Sequence, residues 1–152
     1  MLLELSEQEQ QRRNSLEELR KLNIDPYPAE GYEVNATSVE ILDNYDEAKG
    51  NYQSVSIAGR MMNRRVMGSA SFAELQDEKG RIQIYVKRDN ICPGEDKTLY
   101  NTVFKKLLDI GDIIGVRGEV FKTRVGETSI NVTDFKVLSK SLKPLPIVKE
   151  KD

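Results

Sequence analysis

Residues 71–87 read Ser71-Phe72-Ala73-Glu74-Leu75-Gln76, then Asp77-Glu78-Lys79-Gly80, then Arg81-Ile82-Gln83-Ile84-Tyr85-Val86-Lys87. The two outer segments alternate apolar with polar residues, the pattern of half-buried strands, and the polar quartet between them is a hairpin connection. Successive side chains on a strand point to opposite faces. Ala73, Leu75, Ile82, Ile84 and Val86 therefore form a core-facing set, while Phe72, Glu74, Gln76, Arg81, Gln83, Tyr85 and Lys87 face the other way. An aromatic ring set among polar neighbours on the outward side is the first functional clue.

Toward the C-terminus, Leu99, Val103, Phe104, Leu107 and Leu108 share one helical face, and Asp109-Ile110-Gly111 closes that helix. Two further strands are expected from Asp112 to Thr123 and from Glu127 to Leu138, joined by a tight turn at Arg124-Val125-Gly126. On the last strand Ile130 and Val132 point inward, so Glu127, Ser129 and Asn131 are expected outward. Toward the N-terminus, Val55 to Arg60 alternates as one strand and runs irregularly through Met61–Gly68 into a basic loop. Three strands, one helix and two strands (β-β-β-α-β-β) is the order of a five-stranded oligonucleotide/oligosaccharide-binding barrel, the OB-fold, an all-β fold here carrying accessory helices. The structural alternative is a plain antiparallel sheet covered by a helix.

Before the barrel, Ser6 and Glu9 form a capping box for a helix that the Asp25-Pro26-Tyr27-Pro28 turn stops. Its apolar positions Leu16, Leu19 and Leu22 make only a narrow stripe. A second short helix is expected over Ser38–Asn44, capped by Thr37 with Glu40 three residues on. The organisation is thus residues 1–50 as a helical extension, 51–140 as the barrel, and 141–152, with Leu142-Lys143-Pro144-Leu145-Pro146, as a stiff, extended segment of the kind that links to something beyond.

Composition narrows the chemistry. The 152 residues are 38% hydrophobic and 32% charged, which describes one globular domain with a polar appendage. There is no histidine and one cysteine, Cys92, which excludes an internal disulfide, the usual zinc ligand sets and every histidine-based triad. No apolar run approaches the ~20 residues of a membrane span, and Met1-Leu2-Leu3-Glu4 meets an acid too early for a signal-peptide core, so a cytoplasmic protein is expected. The net charge of -2 conceals a division: residues 1–54 hold 5 Lys/Arg against 12 Asp/Glu, and residues 55–152 hold 18 against 13. The barrel is the basic part, and a local field of this kind steers a polyanion.

The outward face has the groups that reading an unpaired base requires. Phe72 can stack on any base, worth ~1–3 kcal/mol. Gln83 offers a carbonyl acceptor and an amide donor, and ionised Glu127 only accepts. Together they could match the ring N–H of uracil and its flanking carbonyls, where cytosine would mismatch. Arg60, Arg64 and Arg65 lie in an acid-free stretch from Val55 to Gly68, suited to phosphate contacts. Plainer readings exist for each: a ring covering a sheet edge, two solvent-facing strand residues, and a solvated basic loop.

The block Gly59-Arg60-Met61-Met62-Asn63-Arg64-Arg65-Val66-Met67-Gly68-Ser69-Ala70-Ser71-Phe72 resembles the amino-terminal anticodon-binding domain of bacterial-type lysyl-tRNA synthetases. Gly80-Arg81-Ile82-Gln83-Ile84-Tyr85-Val86, Gly111-Asp112-Ile113-Ile114-Gly115, Phe121-Lys122-Thr123, Gly126-Glu127-Thr128-Ser129-Ile130 and Leu142-Lys143-Pro144-Leu145-Pro146 fit the same family in the same order. The resemblance spans essentially the whole chain. It implies a parent enzyme, a homodimeric class II lysine--tRNA ligase, that activates L-lysine with ATP and Mg²⁺ and transfers it to tRNA(Lys). It also implies that Phe72 stacks on an anticodon base, that Gln83 and Glu127 bond base edges, and that Arg65, with Arg64 and Arg60, contacts the anticodon loop. On this resemblance residues 141–152 are a linker toward a catalytic domain that is absent; none of the class-defining catalytic motifs is in this chain, so no catalytic residue, metal site or cofactor is expected in it. A sequence-tolerant single-strand binder and a protein-interaction module acting through the N-terminal helix are the competing readings.

Overall fold

The computed structural model describes residues 7–22 and 32–141. The Ser6 cap, the Asp25-Pro26-Tyr27-Pro28 turn and the proline-containing linker lie outside the described residues. Two helices come first, α1 (Glu7–Lys21) and α2 (Ser38–Asn44). Strands β1 (Val55–Met67), β2 (Ala70–Gln76) and β3 (Arg81–Lys87) follow, then α3 (Arg88–Ile91) and α4 (Leu99–Leu107), then β4 (Ile113–Lys122) and β5 (Thr128–Ser139). The strands close into a barrel in the order β1-β2-β3-β5-β4. All neighbours are antiparallel except β3 and β5, which run parallel. This is the OB-fold.

The barrel closes because β1 serves two neighbours. Its first half pairs with β4, from Val55 opposite Gly118 to Arg60 opposite Ile113, and its second half pairs with β2, from Arg60 opposite Gln76 to Met67 opposite Ala70. Between Met61 and Asn63 the register slips by one residue, a bulge at Met62 that bends the strand from one wall to the next. The expected basic loop after Arg60 is therefore a strand, its backbone held by the β2 ladder. The bulge breaks the alternation at that point, which is why period-2 reading lost the strand there. A second bulge, at Thr133 on β5, faces Gly118, where a Cβ would lie 2.0 Å from the carbonyl oxygen of Asn131. Only glycine admits that approach.

Ile57, Met61, Ala73, Leu75, Ile84, Ile114, Ile130 and Val132 fill the barrel. Across one end lies α4, wound with the wide pattern of a π-helix, in which the Leu108 N–H donates to the Val103 carbonyl at 3.0 Å. Its buried face is Tyr100, Val103, Phe104 and Leu107, while Leu99, expected in the core, is only partly covered. The Tyr100 ring stacks on Phe104 with centroids 6.0 Å apart, and its hydroxyl shares a hydrogen bond with Ser71 Oγ at 2.8 Å. Helix α1 packs against α4, and its Leu16 and Leu19 are buried. Thr37 caps α2, its Oγ1 accepting from the Glu40 N–H at 3.2 Å. The α2 N-terminus is also tied to the β2–β3 hairpin, where Ser38 N–H and Oγ–H each donate to Asp77 at 2.7 Å.

Candidate nucleic-acid interface

Strand register arranges the outward residues of the curved wall in two rows. One row is Asn63, Glu74, Gln83, Ser129 and Phe121, and the other is Arg65, Phe72, Tyr85, Asn131 and Glu119. Phe72 lies outside the barrel, as its parity, opposite to that of Ala73 and Leu75, requires. Its ring contacts Tyr85 with centroids 5.0 Å apart, and Tyr85 meets Phe121 edge-on at 6.0 Å. The Arg65 guanidinium stands over the Phe72 ring, 5.9 Å from its centroid, a cation–π contact that leaves its N–H groups on the surface.

Two hollows adjoin on this wall, each about 310 Å³. The first is bordered by Asn63, Arg64, Arg65, Phe72, Glu74 and Gln83, the second by Arg65, Phe72, Gln83, Thr123, Arg124, Val125 and Glu127. Phe72, Gln83, Glu127 and Arg65 are thus brought together. Glu127 is not on β5 as expected but in the turn before it, with an exposed side chain. The turn Thr123–Gly126 is closed by Gly126 N–H donating to Thr123 C=O at 2.9 Å, with Gly126 at φ 86°. That left-handed residue makes a three-residue loop with a bulge, which Thr123 and Glu127 close, the Thr123 N–H donating to the Glu127 carbonyl at 3.0 Å.

Arg60 and Arg64 are placed differently. Because of the bulge, Arg65 points outward beside Phe72 while Arg64 faces the barrel end opposite Ala73. Arg64 Nη1 donates to the Phe104 and Leu108 carbonyls at 2.8 and 2.7 Å, and Arg60 Nη1 donates to the Gly111 carbonyl at 2.8 Å. These are carbonyls at the C-terminal end of α4 and just beyond it, which lack partners within the helix. Burial pulls the Arg64 guanidinium below its ordinary value, opposed by the nearby Asp109 and Asp112 carboxylates. The two side chains, expected to contact phosphates, are here engaged with backbone carbonyls.

Sequence reasoning missed two members of the site. Phe121 completes the cluster of rings, and its parity, opposite to that of the inward Val116 and Val120, could have found it. Ser129, expected to face solvent, is fully buried: the Gln83 carboxamide lies over it, Nε2 donating to Ser129 Oγ at 3.0 Å. Two carboxylates stand in these rows: Glu74, which pairs with Arg81 at 3.1 Å, and Glu119, which is exposed.

The tRNA anti-codon family model, described as an OB-fold nucleic acid binding domain, matches residues 55–138. The chain is 62% identical over 152 residues to a lysine--tRNA ligase of Porphyromonas gingivalis, covering 99% of this chain and 26% of the relative. It is 58% identical over 146 residues to that of Christiangramia forsetii, covering 96% of this chain and 25% of the relative. To that of a Thermoanaerobacter strain it is 50% identical over 143 residues, 94% of this chain and 27% of the relative. The chain spans about a quarter of the length of the curated relatives it matches. With the family model covering more than half of it, the chain belongs to the OB-fold nucleic acid binding domain family, in the form that matches lysine--tRNA ligases.

Proposed function

We propose that this chain recognises the anticodon loop of tRNA(Lys) as the anticodon-binding domain of a lysine--tRNA ligase. The observation that carries the reading is the lining of one hollow by Phe72, Gln83, Glu127 and Arg65. An unpaired base stacked on Phe72 would have its Watson–Crick edge against the Gln83 carboxamide, and a neighbouring base or hydroxyl would donate to the Glu127 carboxylate. Arg65 and Arg124 at the rim would meet phosphates and set the register of the loop without reading sequence. Arg60 and Arg64 enter as supports for the α4 carbonyls, which fix the inner wall beneath Arg65. Residues 51–140 would be the recognition module and residues 1–50 a docked extension. Lysine activation with ATP and Mg²⁺, and assembly as a homodimer in the cytoplasm, belong on this reading to the whole ligase.

The cluster of Phe72, Tyr85 and Phe121 gives the single-strand-binder reading one observation of its own. Those rings pack against one another at 5.0 and 6.0 Å instead of being spaced along a groove, so they offer one stacking platform for few bases, which suits a reader. Titration of the chain with a lysine-type anticodon stem-loop and with a scrambled loop separates the two. The lysine-type loop should bind more tightly, and Phe72→Ala should weaken it by ~1–3 kcal/mol with the fold retained. Equal affinity for both loops would refute anticodon reading.

A further inference from the structure

We infer that Ser129 is a positioning residue that sets which end of the Gln83 carboxamide faces the bound base. The inference rests on the anticodon reading and deepens it. Ser129 is fully buried on β5, directly opposite Gln83 on the parallel neighbour β3 and opposite Phe121 on β4. Its hydroxyl has a single hydrogen, and that hydrogen is directed to the Glu127 carbonyl at 3.3 Å. Toward Gln83 the Ser129 oxygen therefore presents only lone pairs. The group that can meet it is the NH₂ end of the carboxamide, and Nε2 lies 3.0 Å away.

A carboxamide viewed from outside is a donor and an acceptor whose order is reversed by a half-turn about its terminal bond. With one Nε2 hydrogen held by Ser129, Gln83 shows the hollow its Oε1 as acceptor and its remaining N–H as donor. That order matches a base with a ring N–H beside a carbonyl, which is uracil or guanine. Cytosine and adenine carry a ring acceptor beside an amino donor and need the reversed amide. Reversal would set Oε1 against Ser129 Oγ, so the serine hydrogen would have to leave the Glu127 carbonyl. One hydrogen bond is lost in that exchange. The same relay joins the backbone of the Glu127 turn to Gln83, so the two proposed base-reading side chains share one support.

The test compares affinities of the full chain for lysine-type stem-loops with uracil or cytosine at the central anticodon position. Ser129→Ala should reduce the uracil-over-cytosine ratio by about 2- to 10-fold, the value of one hydrogen bond, and Ser129→Thr, which keeps the hydroxyl, should restore it. In a Gln83→Ala background, Ser129→Ala should change the ratio no further, because the serine acts through the amide. A ratio unchanged in folded Ser129→Ala, or one that falls equally without Gln83, would overturn the inference. Side-chain amide NMR of the unliganded wild type gives a reading that needs no variant and no RNA: one Gln83 NH₂ hydrogen should exchange slowly and the other fast. Two equally fast hydrogens would overturn the assignment even if the loop titrations succeed. A wild type that shows no preference for the lysine-type loop would instead sink the anticodon reading and leave the amide polarity to be decided by the NMR result.

Discussion

The helix-plugged end of the barrel and its outward wall are both rich in charge, and they use it in opposite ways. At the closed end Lys140, fully buried, meets Asp109 and Asp112, the latter at 2.8 Å. Asp112 also accepts from the Asp109 and Ser141 N–H groups, both at 2.8 Å. Arg60 and Arg64 close the set on backbone carbonyls. Burial holds the Asp112 carboxyl above its ordinary value, against the opposing pull of the Lys140 ammonium. On the outward wall, by contrast, the Arg65 guanidinium meets only the Phe72 ring among the described residues, and Glu127 is exposed. Charges satisfied internally hold a shape, whereas charges left toward solvent remain available to a ligand.

The comparison can be broken from either side. The largest effect is expected for Lys140→Ala, which leaves buried carboxylates without their cation and should cost ~3–5 kcal/mol of stability in denaturant unfolding. Loop discrimination by the folded fraction should survive, and its loss would join the two regions that are here kept apart. Arg64→Ala strands two carbonyls and should lower stability by ~1–3 kcal/mol. Its neighbour Arg65→Ala should leave the unfolding midpoint nearly unchanged and instead reduce the salt slope of RNA binding by ~1, as one lost phosphate contact does. If the two substitutions gave the same pair of effects, the inward and outward assignments of adjacent arginines would be mistaken.

The smallest effect belongs to the α2 tether. Burial would raise the Asp77 carboxyl, but hydrogen bonds from Ser38 N–H and Oγ–H and from the Lys79 and Gly80 N–H groups reverse that and hold it below its ordinary 3.8. A carboxyl depressed in the folded state stabilises fully above its unfolded value, and that stabilisation is lost as pH falls through the folded value. Acid titration of stability should therefore decline below about pH 4, and Asp77→Asn should flatten that limb without touching loop binding.

Much of this was legible in the chain itself. Strict alternation over residues 71–87 specifies β2, β3 and the outward position of Phe72 and Gln83, because a half-buried strand has no other way to hide Ile82, Ile84 and Val86. Thr37 and Glu40 likewise specify the start of α2. The readings that failed cluster at irregular backbone: β1 beyond Arg60, the displacement of Glu127 from β5, and the burial of Ser129. Each depends on a neighbour distant in sequence, and local periodicity carries no record of that neighbour.

What the sequence determined by itself is the order of elements, the apolar face of each regular strand and the types of group on the outer wall. Only the tertiary structure decided which groups meet. One extra residue at Met62 reverses the facing of everything after it on β1, sending Arg65 outward to Phe72 and Arg64 inward to the α4 carbonyls. A strand has a period of two, so a single-residue slip exchanges its faces, and where the slip falls is set by closing the barrel against β2 and β4 rather than by any preference of the residues that slip.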